Sequence, residues 1–412
     1  MFPVYNLFIH GYFFFIKTLS LRNQKAKLWI DGRANWEIKL KQQLDTTKQW
    51  IWFHCVSVGE YEDTCEVMFS LMRKNTIDCN YLLTFSSPSG FELHKQNTAF
   101  DLVFYLPLDT RKNAESFLSI VNPLGVIFSR SELWINMLNE VRKREIPLFL
   151  LSLKMNAASG FLRWPAAKLY KEAFSWFSCI YCQDEQTRKL LLDFSKVRKV
   201  EVVGNTRFER ILLQTKQHSM DHKIERFTEH QFTLICGSSL PKDLWIVYQC
   251  LDELRKRNIR LIIVPHEVKK QEITELKKRF SAQVYSEMTA SDFVSDVLII
   301  DHVGSLKHYY SYSDFALIGG GFNRIGIHNI IEPAVHGVPV AFGPNHRNYP
   351  EALDLIELKL AFQFRNKEEF LQLMDDWMVN SNAGKSAEML KDYVYRNSTN
   401  SEQIAQHMLS LL

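Results

Sequence analysis

Several short stretches combine side chains able to move a proton or hold an anion with the pattern of a strand running into a turn or helix. One is "HCVSVGEYED" (54–63), where Ser57 and Gly59 precede Glu60 at an expected helix start. A carboxylate in a first turn is favoured by the helix dipole, so Glu60 is either a plain first-turn acid or a general base. A second is "GGGFNRIGIHNIIEPAVHG" (319–337), which follows a buried-strand pattern. Gly319, Gly320 and Gly321 permit positive φ or close approach of a ligand, and His328 and Asn329 lead into a helical pattern. Asn329 stands where an N-cap belongs, and free N–H groups at a helix start suit a phosphate. Glu332 then closes a capping box or accepts hydrogen bonds from ribose hydroxyls. A purely structural glycine turn is the competing explanation.

Three further strand ends carry candidate groups. "FSSPSG" (85–90), with Ser87 and Ser89, suits hydroxylated or anionic groups, or is only a turn. "IIVPHE" ends a strand at Pro265 and His266, and a lone histidine is equally a structural residue. "VVGNTRFER" places Arg207, a natural bidentate partner for phosphate or carboxylate, at the expected domain junction. The spacing is not the dinucleotide fingerprint GxGxxG, and no P-loop occurs. No Asp-x-Asp pair suggests a divalent ion on a diphosphate, so no cofactor or metal is expected.

The elements that must position these groups alternate along the chain. "WIWFHCVSV", "NYLLTFSS", "LVFYLPL", "LGVIFS" and "IPLFLLS" read as strands, with helices expected over 60–72, 110–120 and 131–144. The pattern lapses in a polar stretch and restarts with "FTLICGSS", "IRLIIVPHE", "VLIID", "FALIGGG" and "VPVAFGP". Strands alternating with helices imply parallel sheets covered on both faces, with ligands at the carboxyl ends of the strands. The 412 residues, 46% hydrophobic and 23% charged, suffice for two such α/β units. The expected division is an N-terminal segment 1–30, a domain 31–210, a linker 211–230 and a domain 231–412, the final amphipathic helix docking on either domain. A net charge of +4, from 50 basic and 46 acidic residues, is too balanced to argue for nucleic acid as the main partner, and none is expected. The seven cysteines, with one lone CxxC at Cys179 and Cys182, read as core thiols in a reducing cytosol.

The N-terminus, "MFPVYNLFIHGYFFFIK", is aromatic and is followed by Arg22, Lys25, Lys27 and Arg33. It is shorter than the roughly 20 apolar residues of a spanning helix and lacks the basic start of a signal peptide. A helix lying on an anionic membrane surface fits this pattern; so does a helix packed on the protein's own core.

The ordered set "KAKLWIDGR", "HCVSVGE", "TFSSPSG", "YLPLDT", "SELW", "GNTRFE", "GSS", "VPHE" and "GGGFNRIGIHNIIEPAVHGVPVAFGP", spread over roughly residues 5 to 370, resembles the 3-deoxy-D-manno-octulosonic acid (Kdo) transferases of lipopolysaccharide synthesis. Its wording is most similar to the Bacteroidetes branch. The resemblance implies the GT-B glycosyltransferase fold, two Rossmann-like domains facing across a cleft. It also implies inverting, metal-independent transfer of Kdo from CMP-Kdo to a lipid A precursor, lipid IV-A, at the cytoplasmic face of the inner membrane. Glu60 then matches the catalytic base and Arg207 a basic residue that stabilises the transition state. Pro265 and His266 match a nucleotide-binding pair in which many relatives carry Arg at the second position. Val303, Gly304 and Ser305 match a loop contacting the CMP. Asn329 lies at the phosphate end and Glu332 near the ribose, with Gly320, Gly321 and His328 beside them. Ser57, Gly59, Ser87, Ser89 and Arg130 fall on the acceptor side. Arg130 replaces a Glu of the family's "ETELWPN", reversing a charge, and "KMNAASG" (154–160) departs from "ARLSxRS"; the Glu's role is not carried over. Another GT-B enzyme, such as a nucleotide-sugar epimerase, and a catalytically silent glycolipid-binding paralogue are the alternatives.

Overall fold

Trp50–Phe53 is apolar at every position, which a strand tolerates only where both faces of its sheet are covered. In the computed structural model Trp50 and Trp52 enter one core, with Phe117, Phe128 and Leu150. Ile51 and Phe53 point to the opposite core, with Met68, Leu83 and Phe149. The structure describes residues 2–130, 133–156, 159–162, 167–215, 220–288, 295–324, 326–380 and 382–412. Residues 131 and 132 of the "SELW" motif, and 157 and 158 of "KMNAASG", therefore lie outside the described residues.

The chain forms two compact units, residues 1–210 with 398–412, and residues 211–397. The first holds seven parallel strands: β1 (Gln49–Cys55), β2 (Cys79–Phe85), β3 (Leu102–Tyr105), β4 (Pro123–Ser129), β5 (Leu148–Leu153), β6 (Cys179–Cys182) and β7 (Val200–Val202). Their spatial order is β3-β2-β1-β4-β5-β6-β7. The second unit holds β8 (Thr233–Ser239), β9 (Arg260–Pro265), β10 (Gln283–Val284), β11 (Val297–Ile299), β12 (Phe315–Ile318), β13 (Val340–Phe342) and β14 (Ala361–Gln363). Their order is β10-β11-β9-β8-β12-β13-β14. Both sheets are doubly wound, reversing direction between β1 and β4 and between β8 and β12. Ligands of such sheets bind outside the strand ends at the reversal, which singles out the ends of those four strands.

Several expected boundaries move. Residues 1–30 are not set apart: helix Phe2–Leu19 belongs to the first unit, where Tyr5 donates to Asp109 at 2.6 Å and Asn136 to Asn6 at 2.8 Å. Its other face stays outside, with Leu7, Phe8, Phe14 and Phe15 each more than 60% exposed. Among the described residues no helix is long and apolar enough to cross a membrane. The expected linker 211–230 contains the end of helix Thr206–Thr215 and helix His222–Thr228, and belongs to the second unit. The expected domain 231–412 stops at 397, because helix Ser401–Leu409 packs on helix Val58–Lys74. There the Glu209 carboxylate accepts from the Ser401 N–H at 3.0 Å, capping that helix. The helix expected over 131–144 is Ile135–Lys143, and the one over 60–72 runs from Val58 to Lys74. Cys179 and Cys182 sit in β6 and point into opposite cores, an odd spacing on a period of two. That excludes a shared metal for the CxxC, and both thiols are free.

Candidate active site

In the first unit the reversal point is built from the ends of β1 and β4. Helix Val58–Lys74 starts three residues after β1, and Glu60 lies in its first turn, only 9% exposed. Its carboxylate turns back to accept the N–H of Val56 at 2.5 Å. Its backbone carbonyl accepts from Thr64 (2.8 Å) and from Ser129, the last residue of β4 (3.1 Å). The acid is thus locked by both strands that define the crevice. Ser57 is the N-cap residue but makes no side-chain cap. A Cβ on Gly59 would meet nothing nearer than the Ser57 hydroxyl at 4.0 Å, so packing does not require glycine there.

Arg130 follows β4 directly, with a left-handed backbone (φ 57°), and pairs with buried Asp63 on the next turn of the Glu60 helix. Burial lowers its guanidinium below the usual range; the Glu60 carboxylate favours its charge and Arg207 opposes it. Arg130 therefore lies within the field of both Glu60 and Arg207. The basic residue that resemblance could not interpret is a partner of Asp63, and the sequence offered no signal for that long-range pairing. Arg207 sits in the first turn of helix Thr206–Thr215, which is tied to the Glu60 helix by Thr206 on the Asp63 carbonyl. Ser87 caps helix Pro88–His94 through Gly90 N–H (3.3 Å) and meets the Ser89 hydroxyl at 3.1 Å. Its own N–H donates to the Val56 carbonyl at 2.9 Å, so the Ser loop abuts the Glu60 turn.

Beside that turn, an apolar cavity of about 650 Å³ runs under the N-terminal helix, lined by Phe8, Tyr12, Trp29, Val56, Ser87 and Trp134. Asp109, fully buried, anchors its far wall: it accepts from Tyr5 and from the N–H groups of Asn136 (3.0 Å) and Met137 (2.9 Å). Burial pushes its carboxyl up to about 6 against the pull of these donors.

In the second unit the glycine-rich segment follows β12 at the other reversal point. The glycines prove tighter than expected. Gly320 alone of the three has positive φ (98°), and a Cβ on it would strike the Gly326 carbonyl. A Cβ on Gly321 would lie 2.5 Å from the Gly343 nitrogen, so two backbones meet where ligand approach was expected. Asp243, unnoticed in the sequence, is buried and accepts from Gly320 N–H (3.0 Å) and Leu240 N–H (2.8 Å), pinning the loop to the end of β8. Asn329 is not the N-cap expected of it: helix Ile331–His336 is capped by Ile330. Its Oδ1 still accepts from Ile331 N–H (3.1 Å), while its amide donates to Glu332 at 2.9 Å. The capping box is replaced by this side-chain pair. The helix has only six residues, too few for a strong macrodipole, so side chains must supply the charge for any anion held here.

Those side chains are near. His266, just after β9, and His328 stack with ring centroids 4.6 Å apart and planes 25° apart. Pro265 is the last residue of β9 and is paired with Ser239 of β8. The loop after β11 carries Val303, Gly304 (φ 97°) and Ser305; Val303 is 80% exposed, and the Ser305 hydroxyl lies 3.0 Å from His302. In each unit some expected residues follow the strands at the reversal, Glu60 and Arg130 after β1 and β4 and the glycine-rich segment after β12, whereas Val303–Ser305 follow β11 and Arg207 follows β7, away from it. Among the described residues no cluster of three or more His, Cys, Asp or Glu side chains could hold a metal.

Two doubly wound parallel sheets of seven strands each give the chain the GT-B fold. The fold agrees with that of the UDP-GlcNAc 2-epimerase from Neisseria meningitidis, at a TM-score of 0.60 and 14% identity over 88% of this chain and all of that one. Residues 33–210, which hold β1 to β7 and Glu60, match the family model described as 3-deoxy-D-manno-octulosonic-acid transferase (kdotransferase). Over most of its length the chain is similar to members of that family. It is 27% identical over 350 residues to the 3-deoxy-D-manno-octulosonic acid transferase of Chlamydophila psittaci, covering 83% of this chain and 76% of that protein. It is 26% identical over 376 residues to a bifunctional glycosyltransferase/methyltransferase of Fusobacterium nucleatum, covering 85% of this chain but only 56% of that longer protein.

Proposed function

We propose that this protein transfers Kdo from CMP-Kdo to a hydroxyl of the lipid A precursor lipid IV-A, with inversion and without a metal. The observation that carries this is Glu60: a buried acid held at the sheet reversal of a unit that matches the kdotransferase model, in the field of Arg130. Glu60 takes the proton of the acceptor hydroxyl. The freed oxygen pair forms the bond to the anomeric carbon of Kdo as the bond from that carbon to the phosphate oxygen breaks. CMP departs with the electron pair. Its single phosphate needs only hydrogen-bond donors and cations to be stabilised, which the His266–His328 region supplies; Arg207 is assigned the stabilisation of transition-state charge. Asn329 and Glu332 serve the phosphate and ribose, and the Val303–Ser305 loop the nucleotide. An acylated acceptor suits the apolar cavity beside the Glu60 turn, and the exposed aromatic face of helix Phe2–Leu19 suits the cytoplasmic surface of the inner membrane. The test is incubation with CMP-Kdo and lipid IV-A, read by mass spectrometry. A mass gain of one or two Kdo units is the expected result; an unchanged acceptor, or conversion of the nucleotide sugar alone, overturns the proposal.

A further inference from the structure

The stacked histidines of the second unit are explained by neither packing nor capping. Both are fixed by backbone bonds at the carboxyl end of the sheet: His266 N–H donates to the Ser239 carbonyl and His328 N–H to the Gly319 carbonyl, each at 3.0 Å. The His328 ring lies against Gly320, 3.3 Å from where a Cβ would stand. Its Nε2 is buried and has no hydrogen-bond partner. A ring serving only to fill space would be better as phenylalanine, since a buried unpaired nitrogen costs about 1–3 kcal/mol. His266 is exposed and lines a cavity of about 520 Å³ with Ser239, Leu240 and Pro241.

The charged groups around the pair are few. Next to His266 is Glu267, whose carboxylate is held low by Lys269. Glu272 and Glu275, on helix Lys270–Phe280, line the same cavity. From helix Pro241–Lys256, Asp243 is committed to the Leu240 and Gly320 N–H groups, and Lys242 lies over the Phe322 ring. From the glycine-rich segment and its helix, Arg324 is exposed and Glu332 is engaged by Asn329. His346, after β13, is turned to the Gly343 carbonyl. No carboxylate bonds either imidazole among the described residues. Burial, and then the neighbouring His266, hold the His328 ring below the usual histidine range.

We propose that His266 and His328 form a single anion site that takes up one proton from solvent when the phosphodiester of the nucleotide donor binds. This rests on the donor-site assignment given above. Without an anion, a charge on one ring would face the other ring and a desolvated pocket. A phosphodiester removes that penalty, because an imidazolium gives it a charge-assisted hydrogen bond. The His328 Nε2 then gains the partner it lacks. The linkage has one sign: the bound state holds more protons, so donor affinity falls as pH rises, by up to about tenfold per unit for one proton.

The experiment uses the full chain and the methyl phosphodiester of CMP, whose phosphate does not titrate near neutrality. Calorimetry at pH 7 in buffers of different ionisation enthalpy counts the protons. Approach to one proton taken up per ligand is expected, with Kd rising about 3–10-fold per unit between pH 6.5 and 8.5. His266→Gln and His328→Gln should each abolish the uptake, and His266→Arg should bind with a flat pH profile. Should a variant not fold, ¹⁵N shifts of the histidine rings in the native chain, with and without ligand, identify the protonated ring. Binding without proton uptake, or uptake that persists in both Gln variants, overturns the proposal alone. Failure of both the diester and CMP to bind at any pH overturns the donor-site assignment with it.

Discussion

Replacing Glu60 with Gln separates chemistry from structure by a calculable margin. The amide has the shape of the acid, and its oxygen can still accept the Val56 N–H now held at 2.5 Å. What disappears is charge. A hydrogen bond to a charged acceptor is worth about 1.5–3 kcal/mol against about 1 for a neutral one, so about 1 kcal/mol of stability is lost. In a unit of this size that is a fall of about 2–4 °C in Tm. The barrier changes far more. General-base assistance is worth ~10²–10⁴ in rate, or ~2.7–5.4 kcal/mol at 1.36 per tenfold. CMP affinity should hold, because the residues proposed to bind CMP belong to the other unit. Single-turnover transfer from CMP-Kdo to lipid IV-A, read by mass spectrometry beside calorimetric CMP binding and a thermal melt, measures all three. Folded Glu60→Gln protein that transfers at near the native rate would refute the base assignment. Weakened CMP binding would show instead that Glu60 acts on the donor.

Other perturbations probe other parts of the structure. Arg130→Glu sets a carboxylate against Asp63 and in the field of Glu60; with the arginine partly exposed, a loss of about 1–3 kcal/mol is expected, largely relieved by a second change, Asp63→Asn, in denaturant melts. Asp109, raised in the fold to about 6, binds its proton more tightly folded than unfolded, so its contribution to stability is fully present at acid pH and is lost as pH rises through about 4 to 6. Relative to Asp109→Asn, the native chain should therefore gain about 2 kcal/mol on going from pH 6.5 to 4.5, measured as the difference in unfolding midpoints; a constant difference contradicts the assignment. Gly321→Ala drives a methyl onto the Gly343 nitrogen and should cost ~1–3 kcal/mol together with CMP binding, seen in melts and calorimetry. Asn329→Ala breaks the bonds to Ile331 and Glu332 and should weaken CMP binding before it slows transfer at saturating donor; unchanged affinity counts against its placement.

Much of the fold was legible because its strands are buried on both faces and bounded by glycine, proline and polar turns. "WIWF" and "LIIV" could hardly be anything else in an alternating chain. The two-residue β10 and the edge strand β14 gave no such run and went unread. Glu60 and the glycine-rich segment were visible because strand-to-turn-to-helix junctions are local. What stayed hidden is nonlocal. Asp109 and Asp243 look like ordinary turn acids until the structure brings the N–H groups of Asn136, Met137 and Gly320 to them. The triple glycine was read as permitting positive φ or ligand approach; Gly320 has that φ, and the close backbones of Gly326 and Gly343, which also need the missing side chains, could not be read locally. Asn329 was displaced from its cap by one residue because helix starts are set by backbone dihedrals, not by residue type alone.

The return of residues 398–412 to the first unit bears on how the protein is made. Helix Ser401–Leu409 supplies Ile404, Ala405 and Met408 to the core that also holds Phe53 and Phe149. At about 5–20 residues per second of synthesis, roughly ten to forty seconds separate emergence of residue 210 from that of residue 398. During that interval the first unit waits on the ribosome with one wall of its interior uncovered, while the second unit, encoded between them, is free to close first. Nascent chains of this protein should therefore call on a chaperone through the half that was translated earliest.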